Sequence, residues 1–202
     1  MRVIAPTARF EDEIDGAAII KKIELCGRVC YKSEDKIKAD SAGEFVRKII
    51  ARGHESVLEH VSLTARFICD RGVTHEIVRH RIASYSQEST RYCNYGGGEV
   101  VFIKPCFCEE GSPEYEVWHE ACRLSEEYYN KMLEMGMTPQ LARSVLPNSL
   151  KTELIMTANL REWRHFFKLR LSSGAHVQMR EVARILCDEA KSKIPVIFDD
   201  IK

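Results

Sequence analysis

Apolar positions along the 202-residue chain switch between two periods, and the switches outline its elements. Val61-Ser62-Leu63-Thr64-Ala65-Arg66-Phe67 alternates with period 2, which predicts a half-buried strand. Leu150, Thr152, Leu154 and Met156 alternate with polar residues and predict another. Arg2–Ala5 reads as a short opening strand and Glu99–Ile103 as one more. Elsewhere the apolar spacing is helical. Ile14, Ala18, Ile19 and Ile23 share one face of a helix over Asp12–Cys26. Ser41-Ala42-Gly43-Glu44 has the Ser-x-x-Glu capping-box pattern and opens a helix through Phe45, Ile49 and Ile50. A helix is expected around Thr74–His80, with a polar, loop-like segment from Arg79 to Tyr92 after it and a break at Gly96-Gly97-Gly98. Ser112-Pro113 starts a long helix that Gly136 stops, and Thr138-Pro139 starts a short one ending before Pro147. Asn159-Leu160-Arg161-Glu162 opens a helix through Trp163, Phe166 and Phe167, and Val177–Ile194 forms the last, ended by Pro195. With no repeat, linker or low-complexity tract, the pattern predicts one α/β domain over residues 1–202, helix-rich with a small central sheet.

Composition changes this picture little. Hydrophobic residues make up 45% and charged residues 30%, an ordinary globular balance. Net charge is zero, so no global field attracts duplex nucleic acid or an anionic membrane, and any anion site must come from local clustering. No apolar run approaches the ~20 residues of a membrane span. The first residues run quickly into Glu11 and Asp12, which suits a cytoplasmic chain without a signal peptide. The eight cysteines include no Cys-x-x-Cys, so neither a zinc ribbon nor a disulfide framework is expected, and the thiols are expected reduced and mostly buried.

The candidate chemistry is concentrated in Arg79–Tyr92, which holds three arginines, His80, Gln87, Glu88 and four Ser or Thr residues. Burying such charges unpaired costs several kcal/mol each. Arginine's planar fork suits bidentate recognition of phosphate and of flat polar rings, so the segment reads as a site for an anionic, ring-bearing ligand. Other places admit two readings. Gly53–His60 is a helix C-cap with a polar turn, or a ligand wall. Arg143 lies in an apolar stretch as a snorkelling surface residue or an anion anchor. Arg161 and His165, at i and i+4, form a solvated basic face or part of a site, with Asn159 and Arg170 on the same helix. Ser89 has no G-x-S-x-G elbow around it, which favours a hydrogen-bonding role over nucleophilic attack. His75-Glu76 and His80 imitate a zinc motif, but i+5 spacing turns the second imidazole by about 500°, roughly 100° past the i+4 position. No metal is expected. Neither a P-loop nor a G-x-G-x-x-G is present.

Arg79-His80-Arg81, seven residues, then Ser89-Thr90-Arg91 resembles the signature of flavin-dependent thymidylate synthases. Gly53-His54-Glu55-Ser56, Glu59-His60, Arg143–Pro147, Asn159-x-Arg161 and Arg170 resemble further family elements in the same order, so the resemblance spans most of the chain. It implies methylation of dUMP at the uracil C5 with methylenetetrahydrofolate, the hydride coming from FAD reduced by NADPH. It also implies a homotetramer with active sites at subunit interfaces. In such a site Ser56, Arg79, His80, Arg81 and Gln87 would contact FAD, joined by Asn159, Arg161 and His165 from another chain. Glu76, Arg79, Gln87, Glu88, Ser89, Thr90, Arg91, Arg143 and Arg170 would contact dUMP, with Arg170 as the catalytic arginine that polarises the ring. This chain departs from a frequent form of the motif at Ser86 and Gln87, where Asn then Glu is common, and at His165, where some members have Asn. Three rivals remain: a cysteine-dependent thymidylate synthase using Cys106, a nucleic-acid-binding module, and a flavin-binding member that no longer methylates.

Overall fold

The two stretches of strict alternation become the two longest strands and pair with each other at the centre of the sheet. The computed structural model describes residues Met1–Lys202. In chain order the elements are β1 (Arg2–Ile4), β2 (Thr7–Phe10), α1 (Gly16–Val29), α2 (Ser41–Ala51), β3 (Ser62–Asp70), α3 (Arg71–Ile77), β4 (Ala83–Gln87), β5 (Val101–Ile103), α4 (Pro113–Glu134), α5 (Pro139–Ala142), β6 (Lys151–Asn159), α6 (Leu160–Arg170), α7 (Val177–Lys193) and α8 (Pro195–Phe198). Short 3₁₀ turns lie at Glu34–Lys36, Glu55–His60 and Arg143–Val145.

Strands β2, β3, β6 and β4 form one antiparallel sheet in that order. Strand β3 pairs with β6 along its whole length, from Ser62 opposite Asn159 to Asp70 opposite Lys151. Leu63, Ala65, Phe67 and Cys69 of β3 and Thr152, Leu154, Met156 and Ala158 of β6 all point into the core. Helices α6 and α7 cover that face with Trp163, Phe166, Phe167, Val182 and Leu186, all fully buried. The Trp163 indole N–H donates to the Leu63 carbonyl at 3.1 Å, so even the largest core side chain leaves no polar atom unpaired. A second, parallel pair, β1 with β5, builds a smaller cluster under α4 from Val100, Phe102, Cys122, Tyr129, Ala142 and Leu150. The architecture is α/β, helix-rich with a small sheet, as the sequence predicts.

The differences are local. Helix α1 begins at Gly16 because Asp15 caps it, accepting from the Ala18 N–H at 2.9 Å, and it runs on to Val29. The capping box at Ser41 does not form. The buried Glu24 carboxylate draws the Ser41 hydroxyl across at 2.8 Å, and Arg28 at 2.7 Å, so a tertiary requirement overrides the local one. Helix α3 spans Arg71–Ile77 instead of Thr74–His80, because Asp70 caps it through the Val73 N–H at 2.7 Å. Strands β2 and β4 escape the sequence reading. The first has only Ala8 and Phe10 as buried residues, and the second lies inside the polar Arg79–Tyr92 segment. All eight cysteines are free thiols, but only Cys69, Cys122 and Cys187 are buried, so the expectation of mostly buried thiols is corrected. No helix is long and apolar enough to cross a membrane.

Candidate active site

The site grows out of a tight turn. Helix α3 stops at Ile77, and the chain reverses through Val78–Ile82 into the edge strand β4. Tyr85 of that strand donates its hydroxyl to the carbonyls of Ile77 (3.0 Å) and His80, which ties strand to turn. Burial pushes its phenol up to about 12, so the hydroxyl remains a donor. His80 is thereby folded under the turn at 3% exposure, while Arg79, Arg81 and Ile82 are exposed. Helix α6 meets the turn from the other side. Asn159 caps it, accepting from the Glu162 N–H at 2.9 Å, and this sets the phase that points Glu162, Phe166 and Arg170 inward or toward the turn.

A continuous series of polar contacts results. The His80 Nδ1 is 2.8 Å from the Glu162 carboxylate, and the Arg170 Nε–H donates to the His80 Nε2 at 3.1 Å. Two other Arg170 nitrogens donate to the Glu76 carboxylate (2.8 Å) and the Glu76 carbonyl (2.7 Å). Burial drives the His80 pKa below its usual value; Glu162 opposes the shift and Arg170 adds to it. The ring packs against Phe166 at 4.9 Å and His165 at 5.4 Å between centroids.

Two cavities flank this series, and a third adjoins the second. Ile82, Asn159, Arg161, Glu162, His165 and Lys168 line one of about 540 Å³, with Glu55 and Glu59 of the 3₁₀ turn opposite. Glu76 lines a second of about 480 Å³ with Asp70, Phe107, Trp118, His176 and Gln178. The third, about 610 Å³, holds Arg71, Thr90, Gln140 and Arg143, and shares Pro147 and Asn148 with the second as a common wall. There Arg143 donates to the Thr90 hydroxyl at 2.8 Å, and Arg91 reaches Gln140 at 3.3 Å. The Arg71 Nη1 is buried with no partner, an unfulfilled cationic donor beside that cavity.

Most residues singled out from the sequence converge here. Ser56 does not: it lines a separate cavity of about 700 Å³ with basic Arg28, Lys36, Arg52 and His54. Gln87 turns toward the sheet and donates to Thr74 and Thr152 at 3.0 and 3.4 Å. Glu88 is held by Lys151 (3.0 Å) and the Tyr95 hydroxyl (2.8 Å). Ser89 accepts from the Arg91 backbone N–H and bonds to no histidine, which leaves it without a base. A single chain already brings His165 against His80 and Arg143 against Thr90. His75 lies on α3 but His80 lies beyond its end, so the zinc-like spacing has no common helix face. His80, Glu162 and His165 offer donor atoms within 4.8 Å of one another, but both His80 nitrogens already have partners, and Arg161 and Lys168 flank them with positive charge. Burial, with Glu181 nearby, pushes the Cys106 thiol up to about 11, the opposite of what a cysteine nucleophile requires.

Sequence reasoning missed Glu162, Arg71 and Lys168 as parts of this region. Glu162 carried a signal, since it sits three residues after the helix-capping Asn159. Its carboxylate goes to His80 instead of closing a capping box. Arg71 and Lys168 carried none.

Cations line two of the cavities: Arg161 and Lys168 in the first, paired to Glu59 at 2.6 Å and Glu55 at 3.6 Å, and Arg71 and Arg143 in the third; aromatic rings (His165, Phe107, Trp118) line the first and second. The family model described as thymidylate synthase complementing protein matches residues 17–196. The flavin-dependent thymidylate synthase of Geobacter sulfurreducens is 35% identical over 88% of this chain and 80% of its own. That of Pyrococcus furiosus is 35% identical over 97% and 78%. Among solved structures, the UMP/dUMP methylase PolB from Streptomyces cacaoi, bound with 5-Br dUMP, has the same fold, with a TM-score of 0.81 at 21% identity over 98% of this chain and 96% of that one. The chain belongs to the flavin-dependent thymidylate synthase family.

Proposed function

We propose how this chain carries out its family's reaction, the reductive methylation of dUMP to dTMP with methylenetetrahydrofolate as carbon donor and NADPH-reduced FAD as hydride source. The observation that carries the reading is the grip on Arg170: three of its nitrogens are fixed by His80 and by Glu76, between a cavity lined by Glu162 and one lined by Glu76.

On this reading the flavin lies against Asn159, Arg161 and His165, over the turn that carries Arg79, His80 and Arg81. Ser56, and the basic residues around it, serve a second flavin-binding surface completed by a neighbouring chain in a homotetramer. The exposed apolar side chains of Ile82 (70%) and Phe107 (60%), each lining a cavity of the site, support association there. Bound FAD, once reduced by NADPH, supplies the hydride. The nucleotide spans the two cavities that share Pro147 and Asn148. Arg143, Arg91, Ser89 and Thr90, with Arg71, hold its phosphate, and its uracil reaches the Glu76 end, while Gln87 and Glu88, bonded to Thr74 and Lys151, support this region from the sheet. Arg170 there favours the ring as an anion by the charge pairing that lowers an acid's pKa. An electron-rich C5 can then attack the methylene carbon with no enzyme thiolate, in keeping with the raised Cys106 thiol.

The test uses the purified protein with FAD. It is expected to elute as a yellow species of four-chain mass, to bleach on adding NADPH, and to form dTMP from dUMP and methylenetetrahydrofolate. A colourless protein that takes up no FAD, or a yellow one that forms no dTMP, contradicts the reading.

A further inference from the structure

The series of bonds that holds Arg170 does not end at His80. Glu162, a residue outside the family signature read from the sequence, stands behind it with its carboxylate 2.8 Å from Nδ1. Both groups are buried, at 8% and 3% exposure, so the contact lies largely out of solvent. The direction of each bond follows from the donors. An arginine Nε carries a hydrogen and has no lone pair to offer, so the His80 Nε2, at 3.1 Å from Arg170, is the acceptor. A neutral imidazole has one N–H, which must then be on Nδ1, donating to Glu162. Both partners reward this tautomer, since the arginine can only donate and the carboxylate can only accept.

Resting on the reading of Arg170 above, we infer that Glu162 is a positioning residue of the reaction. It reinforces the His80 tautomer whose Nε2 accepts from Arg170, holding the ring proton on Nδ1, and so fixes the plane of the guanidinium facing the nucleotide. Glu76 cannot do this alone. It holds the guanidinium on one side, through its carboxylate and its carbonyl, and leaves rotation about that edge open. His80 Nε2 is the acceptor for the Arg170 Nε–H, and Glu162 anchors the ring proton on the opposite nitrogen. With Glu162 removed, the buried Nδ1–H has no acceptor and only the Arg170 contact still favours this tautomer; wherever the proton passes to Nε2, two N–H groups face each other and Arg170 loses its His80 bond while keeping its charge. The same contact joins the two halves of the site, since Glu162 lines the cavity of Asn159, Arg161 and His165 while Glu76 lines the neighbouring one.

The experiment uses the FAD-loaded enzyme with Glu162→Ala and Glu162→Gln, and with histidine labelled in its ring nitrogens for NMR. In the unsubstituted enzyme the His80 signals are expected to show a protonated Nδ1 and an unprotonated Nε2. Glu162→Ala is expected to mix or reverse these signals and to lower kcat by about tenfold to a hundredfold, the cost of a misplaced group, with a much smaller change in the KM for dUMP. Glu162→Gln has an amide oxygen that accepts the same N–H, and is expected to recover the tautomer and most of kcat. If Glu162→Ala is too unstable to assay, the Gln variant and the unsubstituted enzyme's signals decide. A proton on Nε2 in the unsubstituted enzyme, or unchanged kcat in Glu162→Ala, overturns the inference. So does a kcat loss in Glu162→Ala with the tautomer unchanged and no recovery in Gln. Normal turnover in Arg170→Ala would instead overturn the reading beneath it, and the role of Glu162 with it, whatever the ring signals show.

Discussion

His80 is the residue whose environment departs furthest from what its neighbours in sequence suggest. It sits between two exposed arginines, yet it is buried, and both its ring nitrogens are occupied. Burial lowers its pKa below the usual value of about 6.5. The sign of the stability effect follows. Below about pH 6.5 the unfolded chain binds a proton that the folded chain resists, so His80 contributes stability above that pH and loses it as pH falls through the depressed folded value. Melting temperature, followed from pH 7.5 to pH 5 at constant FAD, is therefore expected to fall more steeply in the unsubstituted protein than in His80→Asn. Parallel curves would show that His80 is not the group responsible. Legibility at this scale divides by mechanism. Arg79, Arg91, Arg143 and Arg170 stand out in the sequence because they fall in segments that resemble the family's elements in the same order. Arg71 and Glu162 do not, because their relevance lies in a missing partner and in a contact across 82 residues of chain.

Elements were legible where a period ran long. β3 and β6, with nine residues each, and the long α4 and α7 follow the sequence pattern closely. β4 was read as loop because its residues are mostly polar. It is an edge strand whose partner, β6, supplies the pairing, and exposed Ser84 and Ser86 suit an edge that must resist further strand addition. Helix α3 starts earlier than the apolar spacing predicts because Asp70, the last residue of β3, caps it. Its carboxylate accepts from the Val73 N–H at 2.7 Å and from the Gln178 amide at 2.8 Å, so it both caps α3 and ties it to α7. Helix α3 in turn carries Glu76. Asp70→Ala is expected to cost about 2–3 kcal/mol in urea unfolding, a helix cap plus one buried donor left unpaired, and to weaken turnover through Glu76. A loss below about 0.5 kcal/mol, within the range of neutral surface changes, would mean that the cap is dispensable.

At the scale of the molecule, the site lies where the turn after α3 meets α6, with the smaller β1–β5–α4 lobe supplying Phe107 and Trp118 to the neighbouring cavity. Fold class and the order of site segments could be read from the chain. The partition into cavities could not, since it depends on which sides of the same turn Glu162 and Glu76 face. The account as a whole rests on Arg170 acting on the nucleotide while the flavin is held elsewhere. The most direct measurement is Arg170→Ala, assayed for bound FAD by absorbance and for dTMP formation from dUMP and methylenetetrahydrofolate. The expected result is FAD retained at the unsubstituted level with kcat lowered at least about a hundredfold, the scale of losing one preorganised charge at a reacting centre. Turnover within about threefold of the unsubstituted enzyme, with FAD bound, would contradict it.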